Sequence, residues 1–146
     1  MSYHGRIFPK RYIVFKEINE NLISNILGEK EIADYMKKVS YINPSKKDID
    51  YVKNKLIGKT FKETGFMYCA MKFNEANLDG CIIKEVTLPK NTNAIIETNE
   101  KDEDTEIIVN RNYWQKITDV NLGKDNNKKP VWILKTEIVD LDQINS

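Results

Sequence analysis

A chain of 146 residues is long enough for one complete hydrophobic core and short for two, so a single domain over residues 1–146 is expected. With 40% hydrophobic residues, 31% charged residues and a net charge of +1, it has an ordinary globular composition and no global field to draw in nucleic acid or an anionic membrane. No apolar run approaches the ~20 residues that span a bilayer, no charged-then-apolar secretory pattern opens the chain, and two cysteines are too few for a disulfide scaffold. A cytoplasmic location is the default expectation, and an effector delivered without its own signal peptide would have the same composition.

Ser2–Phe8 alternates loosely and reads as a first strand, closed by Pro9, which has no N–H to give a sheet ladder. Phe15, Ile18, Leu22, Ile23, Ile26 and Leu27 then recur at steps of three and four, the spacing of an amphipathic helix, with Gly28 where a left-handed C-terminal cap belongs. Ile32, Tyr35, Met36 and Val39 repeat that spacing in a second helix ending before Asn43-Pro44. Ser45-Lys46-Lys47-Asp48 has the form of a capping box, and Ile49, Val52 and Leu56 carry a third helix stopped by Gly58.

Beyond Gly65 the texture changes. Phe66–Met71, Cys81–Leu88, Ala94–Glu97, Glu106–Val109, Tyr113–Val120 and Val131–Val139 are short, β-branched or aromatic, and separated by Gly, Pro, Asn and Asp. Turns are expected at Asp79-Gly80, Pro89-Lys90-Asn91 and Gly123–Pro130, and the acidic stretch Asn99–Asp104 reads as an exposed loop. The fold class that follows is α+β, with helices packed on a strand-rich body.

Several familiar chemistries fail on spacing. Lys59-Thr60 follows Gly58, but Lys53 stands where a phosphate-binding loop needs its first glycine, and no strand precedes it. No cysteine or histidine pair has zinc spacing, so no metal is expected. A Ser-His-Asp or Cys-His arrangement would have to use His4, the only histidine, and neither cysteine has a nucleophile's context. Three other features stand out. His4 is followed by Gly5, which lets a ligand approach the backbone. Phe66 and Tyr68 share one face of a short strand. Glu106 opens a β-branched run, where a carboxylate is held in place more firmly than within the preceding acidic loop.

In chain order these segments resemble the ADP-ribosyltransferase superfamily. "GKTFKETGFMYCAMKFNEA" (Gly58–Ala76) is similar to the region that carries a Gly-Phe followed by a Ser-Thr-Ser strand in bacterial members, here Tyr68-Cys69-Ala70. "IIKEVTLPKNTNAII" (Ile82–Ile96) resembles the next strand and turn, "DTEIIVNRNYWQKITDV" (Asp104–Val120) the Glu-x-Glu segment with its return strand, and "VWILKTEIV" the closing strand. "SYHG" (Ser2–Gly5) matches the His-Gly first strand of the diphtheria-toxin and poly(ADP-ribose) polymerase branch.

The resemblance implies two small β-sheets around an NAD cleft, with the N-terminal helices to one side. It implies NAD as substrate and a mono-ADP-ribosyltransferase that cleaves the nicotinamide–ribose bond, with a protein as the favoured acceptor. Glu106 would stabilise the ribose cation and Asp104 would face the acceptor. His4 and Gly5 would hold a ribose and the nicotinamide amide, and Tyr68 would stack on the nicotinamide ring. Glu100, Asp102 and Glu103 would face a basic acceptor surface or serve only solubility. The alternatives are an NAD glycohydrolase with water as acceptor, and an inactive binding module on the same fold.

Overall fold

The computed structural model describes residues 6–7, 11–18, 21–40, 43–63, 65–73, 82–98, 105–124 and 128–139. The strands are β1 (Arg6–Ile7), β2 (Tyr12–Ile18), β3 (Thr60–Glu63), β4 (Met67–Ala70), β5 (Ile82–Leu88), β6 (Asn93–Thr98), β7 (Thr105–Val109), β8 (Tyr113–Lys124) and β9 (Pro130–Val139). Two helices, α1 (Lys30–Ser40) and α2 (Lys46–Leu56), lie between β2 and β3. The expected α+β class is what forms. Hydrogen bonding joins its strands into one continuous sheet, in the order β1-β6-β7-β4-β2-β5-β9-β8-β3.

The helix expected over Phe15–Leu27 is corrected: its first part is β2, and only Leu22–Ile26 forms a wide helical turn, closed by Leu27 N–H donating to Leu22 O at 3.0 Å. A seven-pair antiparallel register with β5, from Tyr12↔Leu88 to Ile18↔Ile82, fixes the strand. Tyr12, Ile13, Val14, Phe15 and Ile18 also favour a pleated backbone locally. The three-and-four spacing arose because a strand and a turn abut in sequence. Gly28 has φ +71, the left-handed geometry expected of it.

The two later helices match the sequence. Ser45 Oγ accepts from Asp48 N–H at 3.3 Å and Asp48 Oδ2 accepts from Ser45 N–H at 2.8 Å, the reciprocal capping box of α2. Gly58, at φ +93, ends that helix. Asp48 also accepts a hydrogen bond from Tyr35 Oη, tying α2 to α1. That bond holds the Asp48 carboxyl below its usual range and the Tyr35 hydroxyl above its own. Ser45→Ala is expected to lower stability by about 1 kcal/mol, read as a lower urea midpoint at unchanged m-value.

The chain after Gly65 follows the expected strands, with β3 added before them and β8 running past Val120 to Lys124, so that Gly123, Lys124 and Pro130, expected in a turn, are paired in strands. The turn expected at Asp79-Gly80 lies outside the described residues. Along β5, Ile82, Lys84, Val86 and Leu88 alternate onto one buried face. Ile82 joins a cluster in which Ile32, Met36, Val52 and Leu56 of the helices cover Phe61, Ile117, Trp132 and Leu134. Trp132 Nε1 donates to Met36 O at 3.0 Å, pinning α1 to β9. Val86 and Leu88 join a second cluster with Val14, Ile138, Met67, Cys69, Ala94, Ile107 and Val109. The second cluster packs the inner face of β4, β6 and β7 over β2, β5 and β9. The sheet turns at the β2–β4 joint, which is held by one register pair, Phe15↔Ala70.

A polar seam separates the clusters. Lys16 and Lys84 are directly opposite in the β2–β5 register. Glu63 of β3 reaches both, Oε2 at 3.3 Å from Lys84 Nζ and Oε1 at 3.9 Å from Lys16 Nζ. Lys84 is 1% exposed, and its ammonium also lies 5.3 Å from the Phe61 ring centroid. Thr136 Oγ1 donates to Gln115 Oε1 at 3.0 Å, and Gln115 Nε2 lies 3.7 Å from Met67 Sδ.

Candidate active site

With the inner face of β4, β6 and β7 committed to the core, the alternating residues stand on the outer face. Register sets them in rows. Tyr68 is opposite Ile108, which is opposite Ile95. Phe66 precedes Tyr68 by two residues and lines the same cleft, together with Asn110 and Asn93. Ala70 is opposite Glu106 one step further along. Glu106 and Tyr68 are therefore diagonal neighbours on adjacent strands, with backbones about 7–8 Å apart.

The cleft encloses about 430 Å³ between Phe66, Tyr68, Asn93, Ala94, Ile95, Ile108 and Asn110. Tyr68 is 56% exposed and Phe66 44% exposed, so both rings present a bare face to it. Arg111 Cζ lies 5.3 Å from the Phe66 centroid, which steadies that ring from the β7–β8 turn. Asn112, at φ +70, donates its N–H to Glu63 O at 2.8 Å, so the turn is bound to the strand that leads into Gly65-Phe66. Flat aromatic walls and an apolar floor suit a ligand with a planar ring, and Glu106, outside the lining, stands one row along on the same outer face.

The sequence-derived residues divide into two groups. Tyr68 and Glu106 come together on one outer face. His4, Gly5 and Asp104 lie outside the described residues, as does the acidic stretch before Asp104. β1 follows Gly5 directly and pairs Arg6↔Ala94 and Ile7↔Asn93, along the edge of the strands that form the cleft. The sequence places Phe66 on the same face as Tyr68 without giving it a role, and it does not single out Asn93, Ile95, Ile108 or Asn110. Their alternation with Ala94 and Val109 was the available signal, and it needed the β6–β7 register to be useful.

Cys69 is on the opposite face of β4 from the cleft, 2% exposed, and burial pushes its thiol up to about 12. It is a core side chain and no nucleophile. Among the described residues no group of His, Cys, Asp and Glu is placed to hold a metal, and no helix is long and apolar enough to cross a membrane.

A family model described as "ADP-ribosyltransferase exoenzyme" matches residues 4–139. The chain belongs to that family. Comparison with curated proteins finds no match. Among solved structures it is similar to C3larvin toxin, an ADP-ribosyltransferase from Paenibacillus larvae, with 12% identity and a TM-score of 0.69 over 92% of this chain and 64% of that one. It is similar to C3stau2 from S. aureus, solved with NAD, at 17% identity and a TM-score of 0.73 over 92% and 64%. The ADP-ribosylating toxin BECa of C. perfringens, solved with NADH, has 17% identity and a TM-score of 0.67 over 92% and 30%. The chain thus spans just under two thirds of the C3-type chains and less than a third of BECa.

Proposed function

We propose that the chain binds NAD in this cleft, cleaves the nicotinamide–ribose bond and transfers ADP-ribose to a protein acceptor. The observation that carries the reading is the placement of Glu106 and Tyr68 as diagonal neighbours on one exposed face. Two structural neighbours solved with NAD or NADH support the ligand.

The chemistry follows from what the bond needs. As the C–N bond lengthens, its electron pair goes to nicotinamide, which leaves neutral, and positive charge builds on the ribose. Tyr68, across from Ile108, offers the ring an aromatic face on an apolar floor. Glu106, one row along, sets a carboxylate where the cation develops and engages the ribose 2′-hydroxyl. His4 is assigned to a ribose of NAD, Gly5 to the nicotinamide amide, and Asp104 to the acceptor side. The acceptor's nucleophile then takes the ribose carbon and gives up its proton.

Incubation with NAD labelled on the adenylate portion, with and without host-cell protein, tests the reading. Label on a protein supports transfer, free ADP-ribose assigns water as acceptor, and no turnover makes the chain a binding module. Tyr68→Ala is expected to raise KM for NAD about 3- to 10-fold through lost stacking, with a smaller change in kcat. Steady-state kinetics at several NAD concentrations would check it; a loss in kcat alone would count against the stacking role.

A further inference from the structure

Beyond the ring and the ribose, the cleft carries a second polar row whose hydrogen bonding is incomplete. Asn93 on β6 and Asn110, the residue after β7, lie side by side, joined by Asn110 N–H donating to Asn93 O at 3.1 Å. Both backbones are fixed, since Asn93 N–H also donates to Tyr113 Oη at 2.8 Å. The side chains differ. Asn110 Oδ1 accepts from Arg111 N–H at 2.8 Å, which leaves its NH2 as the end to offer a ligand. Asn93 Oδ1 is closed off from water and has no donor. A buried carbonyl oxygen without a partner is costly, and such an atom beside a cleft marks a place where something else supplies the donor.

We propose that Asn93 and Asn110 read the carboxamide of the nicotinamide ring, and so make the site select NAD over its nicotinic acid counterpart. The inference rests on the NAD reading above and adds a specificity-determining pair to it. A carboxamide has one acceptor and one donor end. Asn110 Nδ2 donates to its oxygen, and once rotation about the soft χ2 of Asn93 swings Oδ1 from its buried position into the cleft, the carboxamide NH2 donates to that oxygen. Spacing agrees with this. Asn110 and Glu106 are four residues apart on one strand face, about 13 Å along the strand, so a ring over Tyr68 and Ile108 points its amide toward the asparagines and its ribose toward Glu106. The backbone contact assigned to Gly5 is compatible, because a carboxamide has further N–H and lone-pair positions. A carboxylate in the same place would set negative charge against the unpartnered oxygen and gain no donor from it.

Binding distinguishes this from the activity itself. Affinities for NAD and for nicotinic acid adenine dinucleotide would be measured by calorimetry on the parent, Asn93→Ala and Asn93→Asp, with thermal melts to confirm folding. The parent is expected to favour NAD, Asn93→Ala to lose about 10-fold of that preference, and Asn93→Asp, which keeps an acceptor, to retain it. An unchanged preference in a folded Asn93→Ala would overturn the proposal even if NAD is turned over. A parent that favours the amide but turns nothing over would keep this proposal and sink only the transferase reading. A parent with no preference would sink this one, whatever its activity.

Discussion

Glu106→Gln is expected to cut NAD cleavage by about 100-fold or more in kcat while leaving the fold and most of the NAD affinity in place. Glu106 is exposed at the mouth of β7 and packs into neither core cluster, so glutamine replaces it without a cavity. On the proposed reading, the amide would keep a hydrogen bond to the ribose hydroxyl and lose the negative charge. That charge has most to act on when the ribose is cationic, so the loss falls on the rate more than on binding. Single-turnover rates with labelled NAD, beside a direct binding measurement, would separate the two. Parent-like kcat in the variant would remove Glu106 from the chemistry.

The second large effect is one of stability. Glu63→Gln leaves the Lys84 ammonium buried without its carboxylate and directly opposite Lys16, and is expected to cost about 3 kcal/mol. Lys84→Met removes the buried charge, keeps Glu63 with Lys16, and is expected to be near neutral or stabilising. Urea titration of both variants would show the asymmetry; equal losses would mean that the pair is ordinary packing. The pH dependence has a definite sign. Burial lowers the Lys84 pKa against the opposing pull of Glu63, so the folded state loses that proton at lower pH than the unfolded chain does. Stability from this residue therefore falls as pH drops through the folded value and is fully present above the usual lysine range. Tyr35 acts oppositely, since its raised pKa gives stability below the usual tyrosine value that is lost as pH rises through the folded one. Subtracting the Lys84→Met curve from the parent's isolates the lysine.

Local signals carried most of the fold. Ser45-Lys46-Lys47-Asp48 makes its two bonds within four residues, so the capping box was visible without a partner, and the apolar spacing of Ile32–Val39 and Ile49–Leu56 is α1 and α2. β2 was misread because its hydrogen-bond partner begins at Ile82, far along the chain, and apolar spacing alone does not report that pairing. The seam of Lys16, Glu63 and Lys84 was equally hidden, because each is an ordinary charged residue until three strands bring them together. Of the candidate residues, Tyr68 and Glu106 could be placed on strands from their own segments, and the β4–β7 register makes them neighbours. Asn93 and Asn110 could not be singled out from theirs, since their significance lies in the β6–β7 register and in which amide atom is already bonded.

β9 lies between β5 and β8, parallel to the first and antiparallel to the second, with Trp132 opposite both Ile82 and Leu122. It follows both of its neighbours in the chain, so the join between β5 and β8 waits for a segment translated after each of them. A nascent chain halted before Pro130 holds β5 and β8 with bare edges and Trp132's place beside Met36 unfilled, a state prone to pairing with other chains. Most of the pairings that close the sheet are remote in sequence, which places folding in the millisecond-to-second range typical of strand-rich, non-local topologies. The helices α1 and α2 precede β8 and β9 in the chain, so their apolar faces gain Ile117, Trp132 and Leu134 as a floor only when that pairing closes.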